Sequence, residues 1–113
     1  MSDARWIMEA PVAITVTNAA GTILEMNEKA GRIFEKEGGR SLIGSNVLDC
    51  HPEPARSKVV AMLKGSASNI YTIDKKGVKK MIVQMPWTSG GKPAGLVELS
   101  FELPADIPHF VRK

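Results

Sequence analysis

The stretch Val12-Ala13-Ile14-Thr15-Val16-Thr17-Asn18-Ala19-Ala20-Gly21-Thr22-Ile23-Leu24-Glu25-Met26-Asn27 decides how the chain reads. Its first six residues alternate β-branched side chains, which is the pattern of a strand. Asn18-Ala19-Ala20-Gly21 is a turn in which Gly21 is free to take positive φ. Thr22–Met26 then reads as a second strand, hairpinned to the first. Asn27 ends the stretch as an N-cap, because its side-chain oxygen can accept a free backbone N–H at a helix start. The helix expected behind it runs Glu28–Lys36, puts Ala30, Ile33 and Phe34 on one face, and stops at Gly38-Gly39.

Beyond the glycines, Arg40–Cys50 is short and irregular and predicts small helical turns. Pro52 opens a second helix, since the first turn tolerates its missing N–H, and Glu53 complements the helix dipole there. Ala55, Val59, Met62 and Leu63 form its inward stripe, and Gly65 ends it. Three strands follow: Ala67–Ile73, then Val78–Trp87 after the turn Asp74-Lys75-Lys76-Gly77, then Ala94–Leu103 after Ser89-Gly90-Gly91-Lys92. Short links demand antiparallel neighbours, so two strands, a helical excursion and three strands predict an α+β domain with one sheet and its helices on one side.

The 113 residues amount to one domain: 1–10 as an N-terminal segment able to form a short helix, 11–104 as the folded domain, and 105–113 as a tail. At 43% hydrophobic and 24% charged the composition is globular rather than disordered. No window approaches the ~20 apolar residues of a membrane span, so no membrane partner is expected. Fifteen Lys/Arg against twelve Asp/Glu leave +3, scattered along the chain, which does not imply nucleic acid. A single cysteine, Cys50, excludes an internal disulfide framework and fits a reducing cytoplasm. No Gly-rich phosphate loop, paired-acid motif or nucleophile elbow is present, and enzymatic activity is not expected.

The order and lengths of these elements resemble a PAS domain from roughly Ala10 to Pro104. Val16–Ile23 is similar to that family's strand–turn–strand opening, with Asn18 where Asp is common. Met26-Asn27-Glu28-Lys29-Ala30 is similar to its Asn-x-x-Ala helix start, and Gly95–Leu103 resembles its last strand. Glu102-Leu103-Pro104 departs from the usual Asp-Ile-Thr ending. Gly44-x-Asn46-Val47-Leu48-Asp49-Cys50-His51-Pro52 is similar to a stretch of some bacterial members that carry Asn-x-x-x-Cys-His-Pro-Pro. Val47 stands where the light-sensing flavin subgroup has its reactive cysteine, which argues against flavin photochemistry. The resemblance implies a five-stranded antiparallel sheet in the order 2-1-5-4-3 whose helices cover a ligand pocket, and a sensory role in signal transduction.

Several residues carry two readings. His51 is a candidate heme ligand or a cap on the helix begun by Pro52. Cys50 is a reactive thiol beside a helix start or a small buried filler. Met26, Met62, Met81 and Met85 are soft metal ligands or packing residues, and packing is favoured because Met81 and Met85 share one strand face. Lys75, Lys76, Lys79 and Lys80 cluster at a hairpin tip, either as solvated charge that discourages edge pairing, the favoured reading, or as a phosphate site.

The two sheet faces conflict. Val12, Ile14, Val16, Met81, Val83, Met85, Trp87, Val97, Leu99 and Phe101 share one face; Ala13, Thr15, Thr17, Lys80, Ile82, Gln84, Leu96, Glu98, Ser100 and Glu102 share the other. Periodicity alone turns the apolar set toward the helices. The family register implies the reverse in three strands. Followed here, it gives a pocket of Thr15, Thr17, Cys50, His51, Met62, Ile82, Gln84, Leu96, Glu98 and Ser100. The apolar face, Ile14, Val16, Met81, Val83, Met85, Trp87, Val97, Leu99 and Phe101, is then left for a homodimer. The expected partners are a second copy, an unknown small molecule and a separate effector protein. No cofactor is expected, with heme through His51 as the alternative. A pure dimerisation module without ligand is the second functional reading, and a small enzyme using Glu98 and His51 as acid and base the third.

Overall fold

A computed structural model describes residues 5–65 and 67–113, and at Cys50 the backbone alone. One antiparallel sheet contains β1 (Ala13–Thr17), β2 (Ile23–Met26), β3 (Asn69–Lys75), β4 (Val78–Ser89) and β5 (Lys92–Glu102), in the order β2-β1-β5-β4-β3. The helices are α1 (Arg5–Glu9), α2 (Glu28–Ile33) and α3 (Ala55–Leu63), with 3-10 turns at Glu35–Glu37, Gly39–Leu42 and Val47–Cys50. The five strands, their order and the helical excursion between β2 and β3 match the sequence expectation.

Asn27 does more than cap α2. Its side-chain oxygen accepts from Ala30 N and Ile14 N, both at 3.0 Å, and its amide donates to Ile7 O at 2.9 Å and Val12 O at 2.7 Å. One buried side chain thus joins α1, the start of β1 and the start of α2.

Both helices are shorter than the sequence suggests. The chain leaves α2 at Phe34, whose φ of -100° departs from helical geometry, and Gly39 N then bonds back to Phe34 O at 2.8 Å. Gly38 and Gly39 take positive φ to make that reversal. The start of α3 at Ala55, three residues past Pro52, follows from a second proline, because Pro54 disfavours helical backbone at Glu53.

The hairpin tips explain why β3, β4 and β5 run past their expected ends. Lys76 and Gly77 have φ of 53° and 81°, and Gly90 and Gly91 have 60° and 81°. Two consecutive positive φ values make a two-residue loop whose twist matches the strands. Pairing therefore continues to Lys75↔Val78 on one hairpin and to Ser89↔Lys92 on the other.

Gly95 stands where the sheet leaves no room for a side chain. A Cβ there would collide with the Thr17 carbonyl oxygen of the neighbouring strand. The Trp87 indole reaches across Gly95 and donates to that same oxygen at 2.9 Å, while Leu96 N donates to the Thr17 hydroxyl at 3.1 Å.

The apolar core forms two patches. Ala13, Ile23, Met26 and Ala30 pack with Ile33, Phe34, Leu42 and Val47. Val59, Met62, Leu63 and Leu96 pack with Val47 and Leu48, so Val47 joins the two. Their strand residues all come from β1, β2 and β5. Neither patch includes a residue of β3 or β4, and a cavity opens between the patches and the inner face of the sheet.

Candidate functional site

The cavity measures about 520 Å³, within the range of small-molecule sites. Its walls are apolar over most of their extent, from Ala13, Ile23, Phe34, Val59, Ile82 and Leu96 among others. The sheet supplies most of its polar groups, and the strand register fixes where these stand. Thr15 pairs with Glu98, Glu98 with Gln84, and Gln84 with Asn69, so one polar row crosses four strands. The next row runs Ala13, Ser100, Ile82, Tyr71. The third carries Lys80 and Ile73 to the exposed rim, which Lys75 and Glu37 also line.

The polar row is wired in one direction. Asn69 donates from Nδ2 to Gln84 Oε1 at 3.2 Å, and Gln84 donates from Nε2 to Glu98 Oε2 at 2.6 Å. Gln84 is almost fully buried, and its amide is satisfied by this relay. Tyr71 stands in the adjoining row. The residue keeps 40% exposure; its partial burial raises the phenol above the ordinary value, and the negative charge of Glu98 raises it further.

Of the residues expected in a pocket, Thr15, Thr17, His51, Ile82, Gln84, Leu96, Glu98 and Ser100 all line the cavity. The family register therefore describes which face turns inward, and hydrophobic periodicity does not. Met62 is a correction: it is buried among Val59, Leu63 and Leu96, within the core patch and outside the cavity wall. It sits on the stripe of α3 that packs on β5, and packing consumes its surface. The Cys50 side chain lies outside the described residues.

His51 donates from Nδ1 to the Val47 carbonyl at 2.6 Å, which makes Nε2 the acceptor in the neutral ring. Heme nonetheless fits this wall poorly. A porphyrin needs apolar contact over both faces, and Glu98 with Gln84 stands in the middle of the sheet surface.

Sequence reasoning missed Tyr71, Ile73, Lys75 and Glu37 as lining residues, and placed Lys80 on the inward face without including it in the pocket. The first three were within reach. Counting back across the Lys76-Gly77 tip pairs Tyr71 with Ile82, and paired residues share a face.

On the opposite face the apolar rows are equally regular. Val16, Val97 and Met85 form one; Ile14, Leu99, Val83 and Ile70 the next; Phe101 and Met81 a third. Ile70 is 55% exposed and Met85 38%. Trp87 belongs to this face by parity, but its indole N–H is committed to Thr17 within the chain. Among the described residues no helix is long and apolar enough to cross a membrane, and no group of three metal-ligating side chains occurs.

No protein-family model matches the chain, and no curated protein matches it in sequence. Solved structures do. A C-terminal domain from Streptococcus mutans superposes with a TM-score of 0.69 at 19% identity, covering 85% of this chain and 78% of that one. A PAS domain from Colwellia psychrerythraea gives 0.61 at 15% identity over 88% and 92%. A sensory box sensor histidine kinase from Vibrio cholerae gives 0.59 at 17% identity over 89% of each chain. With the strand order and the helix placement, these likenesses establish that the chain has the PAS fold.

Proposed function

We propose that the protein is a cytoplasmic sensory domain, without catalytic activity of its own, that binds a small molecule in the sheet-and-helix cavity and passes its state on through a homodimer. The observation that carries this reading is the pair of opposed sheet faces. The inner face spends polar residues on a cavity wall, and the outer face presents rows of Val, Ile, Leu, Met and Phe to its surroundings.

A pocket that holds Gln84, Glu98, Thr15 and Ser100 around open volume costs stability relative to a packed apolar core. Ligand recognition is a use that offsets such a cost. The outer rows exceed the scattered apolar residues normal on a monomer surface, and a second copy presenting the same rows is self-complementary. Signalling follows if the ligand favours one arrangement of β4 and β5, because those strands carry both faces. A separate effector protein would read the dimer.

Native mass spectrometry of freshly purified protein tests the proposal. The expected species is a dimer that retains a small molecule. A bare dimer would support the alternative of a pure interaction module, and a bare monomer would remove both. A hemin titration is expected to give no Soret band that depends on His51.

A further inference from the structure

The chemistry of the cavity narrows its ligand. Glu98 uses Oε2 to accept from Gln84, and no side chain or backbone donor among the described residues reaches Oε1. The relay upstream cannot turn round to serve it, because Asn69 holds the Gln84 oxygen and so fixes the Gln84 amide with its NH2 toward Glu98. Among the described residues no Lys or Arg forms an ion pair with Glu98. The nearest lysine on β4, Lys80, lies four residues from the partner of Glu98, which at ~3.3 Å per residue is about 13 Å along the strand.

The strand register puts hydroxyl residues around Glu98. Thr15 is directly opposite on β1, Ser100 is two residues along β5 on the same face, and Tyr71 stands in the next row. The Thr15, Ser100 and Tyr71 hydroxyls make no hydrogen bond within the described chain. The Glu98 carboxylate and the Thr15 and Ser100 hydroxyls line one side of the cavity and together offer three acceptors. A primary ammonium has three N–H donors to match them. The walls beyond, Phe34, Val59, Ile82 and Leu96, suit an apolar body.

Resting on the ligand-binding reading above, we propose that the cavity selects a small, largely apolar primary amine, seated with its ammonium on Glu98 Oε1 and the hydroxyls of Thr15 and Ser100. A carboxylate ligand is disfavoured at this depth by Glu98 itself. The rim lysines Lys75 and Lys80 would hold such an anion only at the mouth.

Three probes of one shape test this: 2-phenylethylamine, 2-phenylethanol and 3-phenylpropionate, titrated into the full chain while backbone amide resonances are followed. The amine should bind tightest and shift resonances of β1, β4 and β5. Its affinity should fall about tenfold or more in Glu98→Gln, as loss of a charge-assisted hydrogen bond requires. The alcohol should change little. Ser100→Ala should weaken the amine as well, which keeps the test informative if Glu98→Gln folds badly. An amine affinity unchanged in both variants, an amine that does not bind, or a propionate that binds the cavity as tightly would each overturn the proposal. Propionate binding in the cavity would still leave the ligand-binding reading standing.

Discussion

The two faces of this sheet obey opposite rules. On the inner face, the row Thr15, Glu98, Gln84 and Asn69 is polar and faces the cavity; on the outer face, the row Ile14, Leu99, Val83 and Ile70 is apolar. An antiparallel sheet with one wet side normally hides the apolar one. The inversion teaches that the core is not where burial comes most cheaply. It sits at the β2–β1–β5 end, in the two patches joined by Val47, and the cavity runs from those patches across the inner face of β4 and β3.

The largest effect is expected where both faces depend on one residue. Gly95→Ala would drive a Cβ into the Thr17 carbonyl, a backbone atom that cannot move without opening the β1–β5 ladder. The change should cost at least about 3 kcal/mol, above the usual range for overpacking, because both the ladder and the Trp87–Thr17 bond are lost. A urea melt measures it. A midpoint within error of wild type would show that the seam is softer than its geometry implies.

Next comes the outer face alone. Leu99→Glu places a charge at the centre of the apolar rows, flanked by Ile14 and Val83. If this face is a dimer interface, dissociation should strengthen by about a hundredfold or more, since an unpaired charge would be desolvated on each copy. Sedimentation at micromolar concentration reads the outcome. A wild-type protein that is already monomeric there would end the argument that the inversion serves assembly.

The sequence makes only part of this contrast legible. Type and order of the elements could be read because the signals are local: alternation in Val12–Thr17, the Asn27 cap, and the tips at Lys76-Gly77 and Gly90-Gly91. The inward face could not be read locally, since periodicity ranks faces by apolarity, and here the apolar face is the outer one. Only the likeness of Gly95–Phe101 to a known last strand set it right. Met62 was misplaced because a methionine on an inward stripe fits a core and a pocket equally well, and α3 packing on Leu96 decides between them. The three further bonds of Asn27 join residues 13 to 20 positions away and have no trace in the local pattern.

A smaller effect belongs to the inner face. Glu98→Ala leaves the buried Gln84 amide donating to nothing, which should cost about 1–3 kcal/mol in a urea melt. The same substitution on the outer face, at a position such as Met85, removes exposed apolar surface and should cost ~0.5 kcal/mol or less in the monomer. Equal losses at the two sites would mean that the polar row is not the organised relay its hydrogen bonds describe.

The finest reading comes from Tyr71, the only tyrosine of the chain. Its phenol can be followed by near-ultraviolet absorbance with no second tyrosine to confuse it. Burial comes first and the Glu98 charge second in holding its ionisation above the ordinary value. Glu98→Gln should therefore lower the Tyr71 midpoint without bringing it all the way back, because burial persists. The sign for stability follows from proton binding. A phenol that ionises later in the folded chain than in the unfolded one contributes stability that is complete below the unfolded value. That contribution is lost as pH rises through the folded one. Alkaline unfolding of wild type should accordingly steepen across that window, and the window should narrow in Glu98→Gln. A Tyr71 midpoint that rises or stays fixed in the variant would place the Glu98 charge away from the Tyr71 ring and break the polar wall into unconnected pieces.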